Sequence, residues 1–158
     1  SLKINLLSHH HFCQKSLKIF KSQDYYFKNE QHLLGGQLLF NVSKQALNPG
    51  KGFGAYGISK SALLAMMKQY ALEEGINNIR SNCINADRIR SGLLNNEMIK
   101  SRSKSRGITE KEYMSGNLLN SEVRAIDVAE AFLSLSKMER TTGTILTVDG
   151  GNVAAMPR

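Results

Sequence analysis

Three side chains able to pass a proton lie close together in the chain: Ser43, Tyr56 thirteen residues on, and Lys60 four beyond that. A free tyrosine titrates near pH ~10 and is a poor base at neutral pH. An ammonium close by favours the phenolate, and lowering a phenol by about three units takes roughly 4 kcal/mol of differential stabilisation. In such a trio Tyr56 exchanges a proton with an alcohol or carbonyl, Lys60 steadies the phenolate, and Ser43 holds the substrate oxygen. The competing reading is packing, because Tyr-x-x-x-Lys recurs by chance and a tyrosine on a helix most often packs. The decision rests on the elements that carry the three residues.

Residues 36–42 are short, apolar and bounded by a glycine pair, which predicts a buried strand ending just before Ser43. From Gly54 the spacing of Lys60, Ala62, Leu63, Met66 and Leu72 predicts a helix that stops at Gly75. Tyr56 and Lys60 then lie one turn apart on one helix face. Residues 79–85 read as the next strand, and a strand-helix-strand order implies a parallel pair. Further on, Val128, Ala131, Phe132 and Leu135 follow helical spacing within 125–138, and residues 143–148 read as a last strand.

With these elements in place, Ser43, Tyr56 and Lys60 resemble the catalytic serine, tyrosine and lysine of the short-chain dehydrogenase/reductase family. The stretches FNVSKQALNPG, YGISK and NADRIRSGLL are similar to one branch of it, the dehydrogenase domain of bifunctional rhamnulose-phosphate aldolase/short-chain dehydrogenases. The resemblance runs from about residue 5 to residue 152 and covers only the second half of the family's domain. It implies an α/β fold: the C-terminal half of a doubly wound, Rossmann-like parallel sheet that lacks the first strands. It also implies NAD or NADP as cofactor, and hydride exchange with a small hydroxy compound or aldehyde such as lactaldehyde.

By the same resemblance Asn5 is the helix asparagine that completes the site, holding a water between the lysine and solvent. Tyr56 and Lys60 also meet the cofactor, and Asp87, Ile89 and Ser91 belong to the loop beside the nicotinamide. Ala86 and Asp87 stand where most members have Pro-Gly. The alternative for Asp87-Arg88 is a surface ion pair of little worth. Val148-Asp149-Gly150-Gly151 matches the family's closing turn, often near a subunit interface, so a homo-oligomer or a completing N-terminal half is the expected partner.

Other features are weaker. Gly52-Phe-Gly54-Ala-Tyr-Gly57 satisfies G-x-G-x-x-G, but nine residues separate it from Val42, too far for a phosphate turn directly after a strand. Those glycines are expected to shape a loop over the active site. His9, His10 and His11 are consecutive and point in different directions on a helix, so no metal site is expected. Cys13 and Cys83 read as reduced, buried thiols. Residues 21–32, with Tyr25, Tyr26 and Phe27, read as an inserted surface loop.

The net charge of +8 invites a nucleic-acid reading, and its densest stretch is Lys100-Ser-Arg102-Ser-Lys104-Ser-Arg106. With no interleaved aromatics, that stretch is expected to be a solvated basic loop, although an anionic ligand would benefit from its field. Residues 90–120 as a whole are expected to form a substrate lid. No apolar run approaches the roughly 18 residues of a membrane helix, and no leader pattern opens the chain, so a cytosolic protein with no membrane or nucleic-acid partner is expected. Three readings follow: an oxidoreductase active with the missing half, a catalytically silent remnant, or a basic anion-binding module.

Overall fold

The computed structural model describes residues 1–23, 27–28, 31–32 and 35–152. A π-helical turn, Lys3–Leu7, leads into α1 (Ser8–Ser22). Two short strands, β1 (Phe27–Lys28) and β2 (Gln31–His32), pair antiparallel. They fall within the stretch expected to be an inserted loop, whose Tyr25 and Tyr26 lie outside the described residues. Then come β3 (Gln37–Asn41), α2 (Gly54–Glu74), β4 (Arg80–Ala86), α3 (Asn96–Ser105), α4 (Glu110–Ser115), α5 (Ala125–Lys137) and β5 (Ile145–Val148).

The main sheet is parallel, in the order β3-β4-β5, with Leu39 opposite Asn82 and Cys83 opposite Ile145. Side chains alternate across it, as strand geometry requires. Leu38 and Phe40 face one core with Cys13 and Leu17 of α1 and Leu63, Met67 and Tyr70 of α2. Leu39, Ile84 and Leu146 face a second core with Val128, Phe132 and Leu135 of α5. Helices thus cover both faces, the layering expected of an α/β parallel sheet. Among the described residues, β3 pairs only with β4, so its other edge is open.

β4 runs through the middle and buries every residue from Ser81 to Ala86. Ser81 and Asn82 are satisfied by hydrogen bonds that tie neighbouring chain to the sheet, whereas Asn85 Oδ1 and Arg80 Nε are buried without a partner among the described residues. Ser81 Oγ donates to the Met67 carbonyl at 2.7 Å, and Asn82 donates to the Thr141 carbonyl and accepts from the Thr144 amide. The end of α2 departs from expectation. Gly75 keeps a helical φ of −58° and continues into a 3-10 turn, and the left-handed residue that reverses the chain is Asn78, with φ 57°.

Residues 100–106 are not a loop. They occupy α3 and its C-cap, and α3 starts where the Asn95 side chain accepts from the Met98 amide at 2.9 Å. α4 starts with a reciprocal capping box between Thr109 and Glu112. The two helices share a third small core of Leu94, Ile99, Tyr113 and Met114, separate from the two that flank the sheet. No helix among the described residues is long and apolar enough to cross a membrane.

Candidate functional site

The last ladder bond beyond β3 runs from the Val42 amide to the Ile84 carbonyl at 3.0 Å, and the chain then turns away from the sheet at Ser43. Ser43 caps a single 3-10 turn, Lys44–Ala46, by accepting from the Gln45 amide at 3.3 Å. A hydroxyl that accepts in this way keeps its own proton to donate. Gly52, at φ +82°, makes the bend that most side chains resist, and Phe53 then opens α2. The glycine-rich stretch therefore builds the turn into α2, and its Phe53 joins the cavity wall.

Helix phase puts Tyr56 and Lys60 one turn apart. Lys60 is only 8% exposed, and its Nζ donates to the Asn41 carbonyl at 2.8 Å and lies 5.8 Å from the centre of the Tyr56 ring. Burial pushes the Lys60 ammonium below its ordinary pKa. No carboxylate pairs with it among the described residues.

Ser43 and Tyr56 both line a cavity of about 530 Å³ at the carboxyl end of the sheet, while Lys60 lies behind its wall. Asn5 is elsewhere. Its amide donates to Ser1, whose hydroxyl is 3.0 Å from that of Ser59, which in turn donates to the Tyr56 carbonyl. Asn5 is thus tied to the backbone of α2. The π-helical turn that carries it is a distortion often found near functional sites.

Asp87, Ile89 and Ser91 of the loop after β4 all line the cavity, each in a different setting. Ile89 packs against the second core and lines the cavity. Ser91 reaches the cavity too, and its Oγ accepts from the Leu94 amide at 3.1 Å. Asp87 is far from a loose surface pair. Its oxygens meet Lys44 Nζ at 2.9 Å, Arg88 at 3.2 Å, and the amide of Asn152. Burial alone would raise its carboxyl pKa, but the Lys44 and Arg88 charges and the hydrogen bonds from Lys44 and Asn152 outweigh burial and lower it. Asp87 clamps three segments together.

The opposite wall was missed in the sequence. Tyr113 is buried at 1% exposure and lies 4.9 Å from the Arg88 guanidinium and 4.9 Å from that of Arg106. Arg102 stacks over the Phe53 ring at 4.7 Å. Burial would raise the Tyr113 phenol, but the guanidiniums of Arg102 and Arg106 beside it hold it below the ordinary value. The basic stretch expected to be solvated therefore contributes two of its four cations to the cavity. Its aromatic partners, Phe53 and Tyr113, come from distant parts of the chain. The one local signal was Arg102 and Arg106 at i and i+4 behind an asparagine cap.

Cys13 and Cys83 are buried free thiols, their pKa values pushed by burial to about 11 and about 12. Of the consecutive histidines, His10 lies 2.9 Å from the Tyr70 hydroxyl.

Comparison with known proteins agrees with this architecture. The family model described as enoyl-(acyl carrier protein) reductase matches residues 1–152. An uncharacterized oxidoreductase of Bacillus subtilis, YuxG, is 33% identical over 141 residues, which are 84% of this chain and 20% of that protein. Dehydrogenase/reductase SDR family member 4 of Oryctolagus cuniculus is 44% identical over 50 residues, 32% of this chain and 19% of that one. Among solved structures, a short chain dehydrogenase family protein from Francisella tularensis superposes with a TM-score of 0.74 at 26% identity. That match covers 97% of this chain and 60% of the other. A short-chain type dehydrogenase/reductase from Mycobacterium ulcerans gives 0.77 at 23% identity, over 99% of this chain and 51% of the other. The chain thus spans about 60% or less of these relatives' lengths. On this match of profile, sequence and fold, it belongs to the short-chain dehydrogenase/reductase family.

Proposed function

We propose that this chain carries the catalytic part of an oxidoreductase that exchanges hydride between NAD or NADP and a small hydroxy compound or aldehyde. The observation that carries the reading is the buried Lys60 ammonium, unpaired by any described carboxylate and held beside the ring of Tyr56, which itself lines the cavity. An ammonium has three donors, and the Asn41 carbonyl uses one. The other two suit a phenolate and a ribose hydroxyl, so the nicotinamide end of the cofactor fits what is here, with Tyr56, Lys60, Ile89 and Ser91 as its contacts. When bound, the nicotinamide supplies the hydride acceptor or donor.

The chain's own groups handle the proton. In the oxidative direction Tyr56, as phenolate, takes the proton of the substrate hydroxyl while the C–H bond breaks and the C=O bond forms. Lys60 stabilises that phenolate before the transfer. Ser43 donates its free hydroxyl proton to the substrate oxygen and orients it. Asn5, bonded through Ser1 and Ser59 to the Tyr56 backbone, positions α2. Residues 90–120 act as a lid, and the neighbours named ElxO with NADP bound and 4-hydroxyisoleucine dehydrogenase complexed with NADH make either nicotinamide cofactor reasonable. Similarity of FNVSKQALNPG and NADRIRSGLL to the aldolase-linked branch favours a substrate of lactaldehyde's size, a short hydroxy compound or aldehyde.

A silent remnant is the second reading, and one observation favours it: β3 has an open edge and no described helix begins at a glycine-rich turn directly after a strand. Tyr56→Phe separates the two in the complete enzyme. It should lower turnover by about two to four orders of magnitude with KM little changed. Turnover at the parent rate would sink the proton-transfer role of Tyr56.

A further inference from the structure

The side chains lining the cavity carry four cations, Lys44, Arg88, Arg102 and Arg106, against the single carboxylate of Asp87, a formal charge of +3. Both oxygens of Asp87 are engaged by Lys44 and by Arg88 with Asn152, so two of the cations are compensated in part. Arg102 and Arg106 are not, because neither meets a carboxylate among the described residues. They lie one turn apart at the end of α3, and both guanidiniums rest against aromatic rings, Phe53 for Arg102 and Tyr113 for Arg106. Rings hold a guanidinium by its face, and Arg102 and Arg106 each bring one N–H to the Tyr113 hydroxyl, which leaves their remaining donors available. Like charges gathered in a recess repel unless an anion joins them. Planar forks of this kind are suited to carboxylate or phosphate.

Phe53 joins this end of the cavity to the other. Its ring centre is 6.3 Å from that of Tyr56 and 4.7 Å from the Arg102 guanidinium. One aromatic ring therefore lies between the ring of Tyr56 and the first unpaired cation. That spacing suits a molecule only a few bonds long.

We propose that the substrate carries an anionic group, a carboxylate or a phosphate monoester, held by Arg102 and Arg106 beside the Tyr113 hydroxyl while its carbinol or carbonyl carbon faces Tyr56 and Ser43. The inference rests on the oxidoreductase reading for the second half of that statement, and on the cavity's charge for the first. It narrows the substrate to a short hydroxy or oxo acid, or to the phosphate ester of a small hydroxy compound. Tyr113 closes the subsite from α4, and Lys100 and Lys104, outside the lining, take no part in it.

Calorimetric titration of the chain at low ionic strength with inorganic phosphate, and separately with malonate, tests the subsite without the reaction. Saturable binding at one site is expected for at least one probe, and which probe binds identifies phosphate or carboxylate as the group recognised. Arg102→Gln combined with Arg106→Gln should weaken that binding tenfold or more. Lys104→Gln, which removes a neighbouring charge outside the cavity, and Tyr56→Phe should both leave it unchanged. Failure of both probes to saturate, or binding unaffected by the double substitution, would overturn the proposal. So would displacement of the bound probe by NAD, which would give the cations to the cofactor. The two readings fail separately: Tyr56→Phe with full turnover removes the proton-transfer role and leaves anion binding intact, whereas absent anion binding with an inactive Tyr56→Phe enzyme removes only the subsite.

Discussion

Asp87 shows how a single side chain ties together the segments around the cavity. Its carboxylate joins the 3-10 turn after Ser43, through Lys44, to the loop after β4 and to the closing segment at Asn152. Asp87→Asn leaves Lys44 and Arg88 facing each other with no counter-charge, and should destabilise the fold by roughly 2 kcal/mol at neutral pH, below the range for deeper pairs because both cations keep some contact with water. The folded pKa is depressed, so Asp87 binds its proton more weakly folded than unfolded. Its stabilisation is therefore complete above the unfolded value near ~3.9 and is lost as pH falls through the lower folded value. Denaturant midpoints for parent and variant, measured down this range, should converge below about pH 4. A constant gap at every pH would show that the carboxylate charge is not what matters.

At the scale of elements, α3 and α4 behave as a unit of their own. α4 is six residues long, too short to hold itself in water, and depends on its capping box and on the Leu94, Ile99, Tyr113 and Met114 core. That core is separate from those flanking the sheet. Ile99 is fully buried in it, so Ile99→Ala should remove about 3 kcal/mol of local stability. Amide exchange should then quicken across residues 95–115 while β3, β4 and β5 keep their protection. If the sheet amides quicken equally, the two helices are part of one cooperative whole and the lid role proposed for residues 90–120 loses its basis.

On the scale of the whole molecule, β3 pairs only with β4 among the described residues, and no described helix begins at a glycine-rich turn directly after a strand. Tight binding of a dinucleotide needs its pyrophosphate on backbone amides at a helix N-terminus after a glycine-rich turn, and its ribose on a residue further along. On the reading proposed above, the described residues offer contacts only to the nicotinamide end. This chain by itself should bind NAD or NADP no better than millimolar, about −4 kcal/mol. Calorimetric titration with each cofactor checks this, and a micromolar constant would mean that the adenine half finds a surface elsewhere. An uncovered strand edge also invites pairing with another chain, so a segment completing the sheet should raise that affinity and suppress self-association together.

What was legible in the sequence is what local pattern controls. The three strands of the parallel sheet, α2 with Tyr56 and Lys60 a turn apart, and the helix 125–138 follow from alternation, helical spacing and glycine punctuation, each a property of neighbours along the chain. The release of the chain at Ser43 follows from the same strand end. Tertiary structure decided what depends on groups distant in sequence. The contacts of Arg102 and Arg106 could not be read along the chain because the rings that receive them, Phe53 and Tyr113, belong to other elements, although Arg106 remains exposed as expected. The alternative of a weak surface ion pair for Asp87 fails because Lys44 and Asn152 reach it only in the fold. Asn5 shares a helix turn with Ser1, but its link to α2 passes through Ser59, which no spacing along the chain reveals. Burial and charge compensation are sums over three-dimensional neighbours, and those neighbours exist only once the sheet has brought the ends of its strands together.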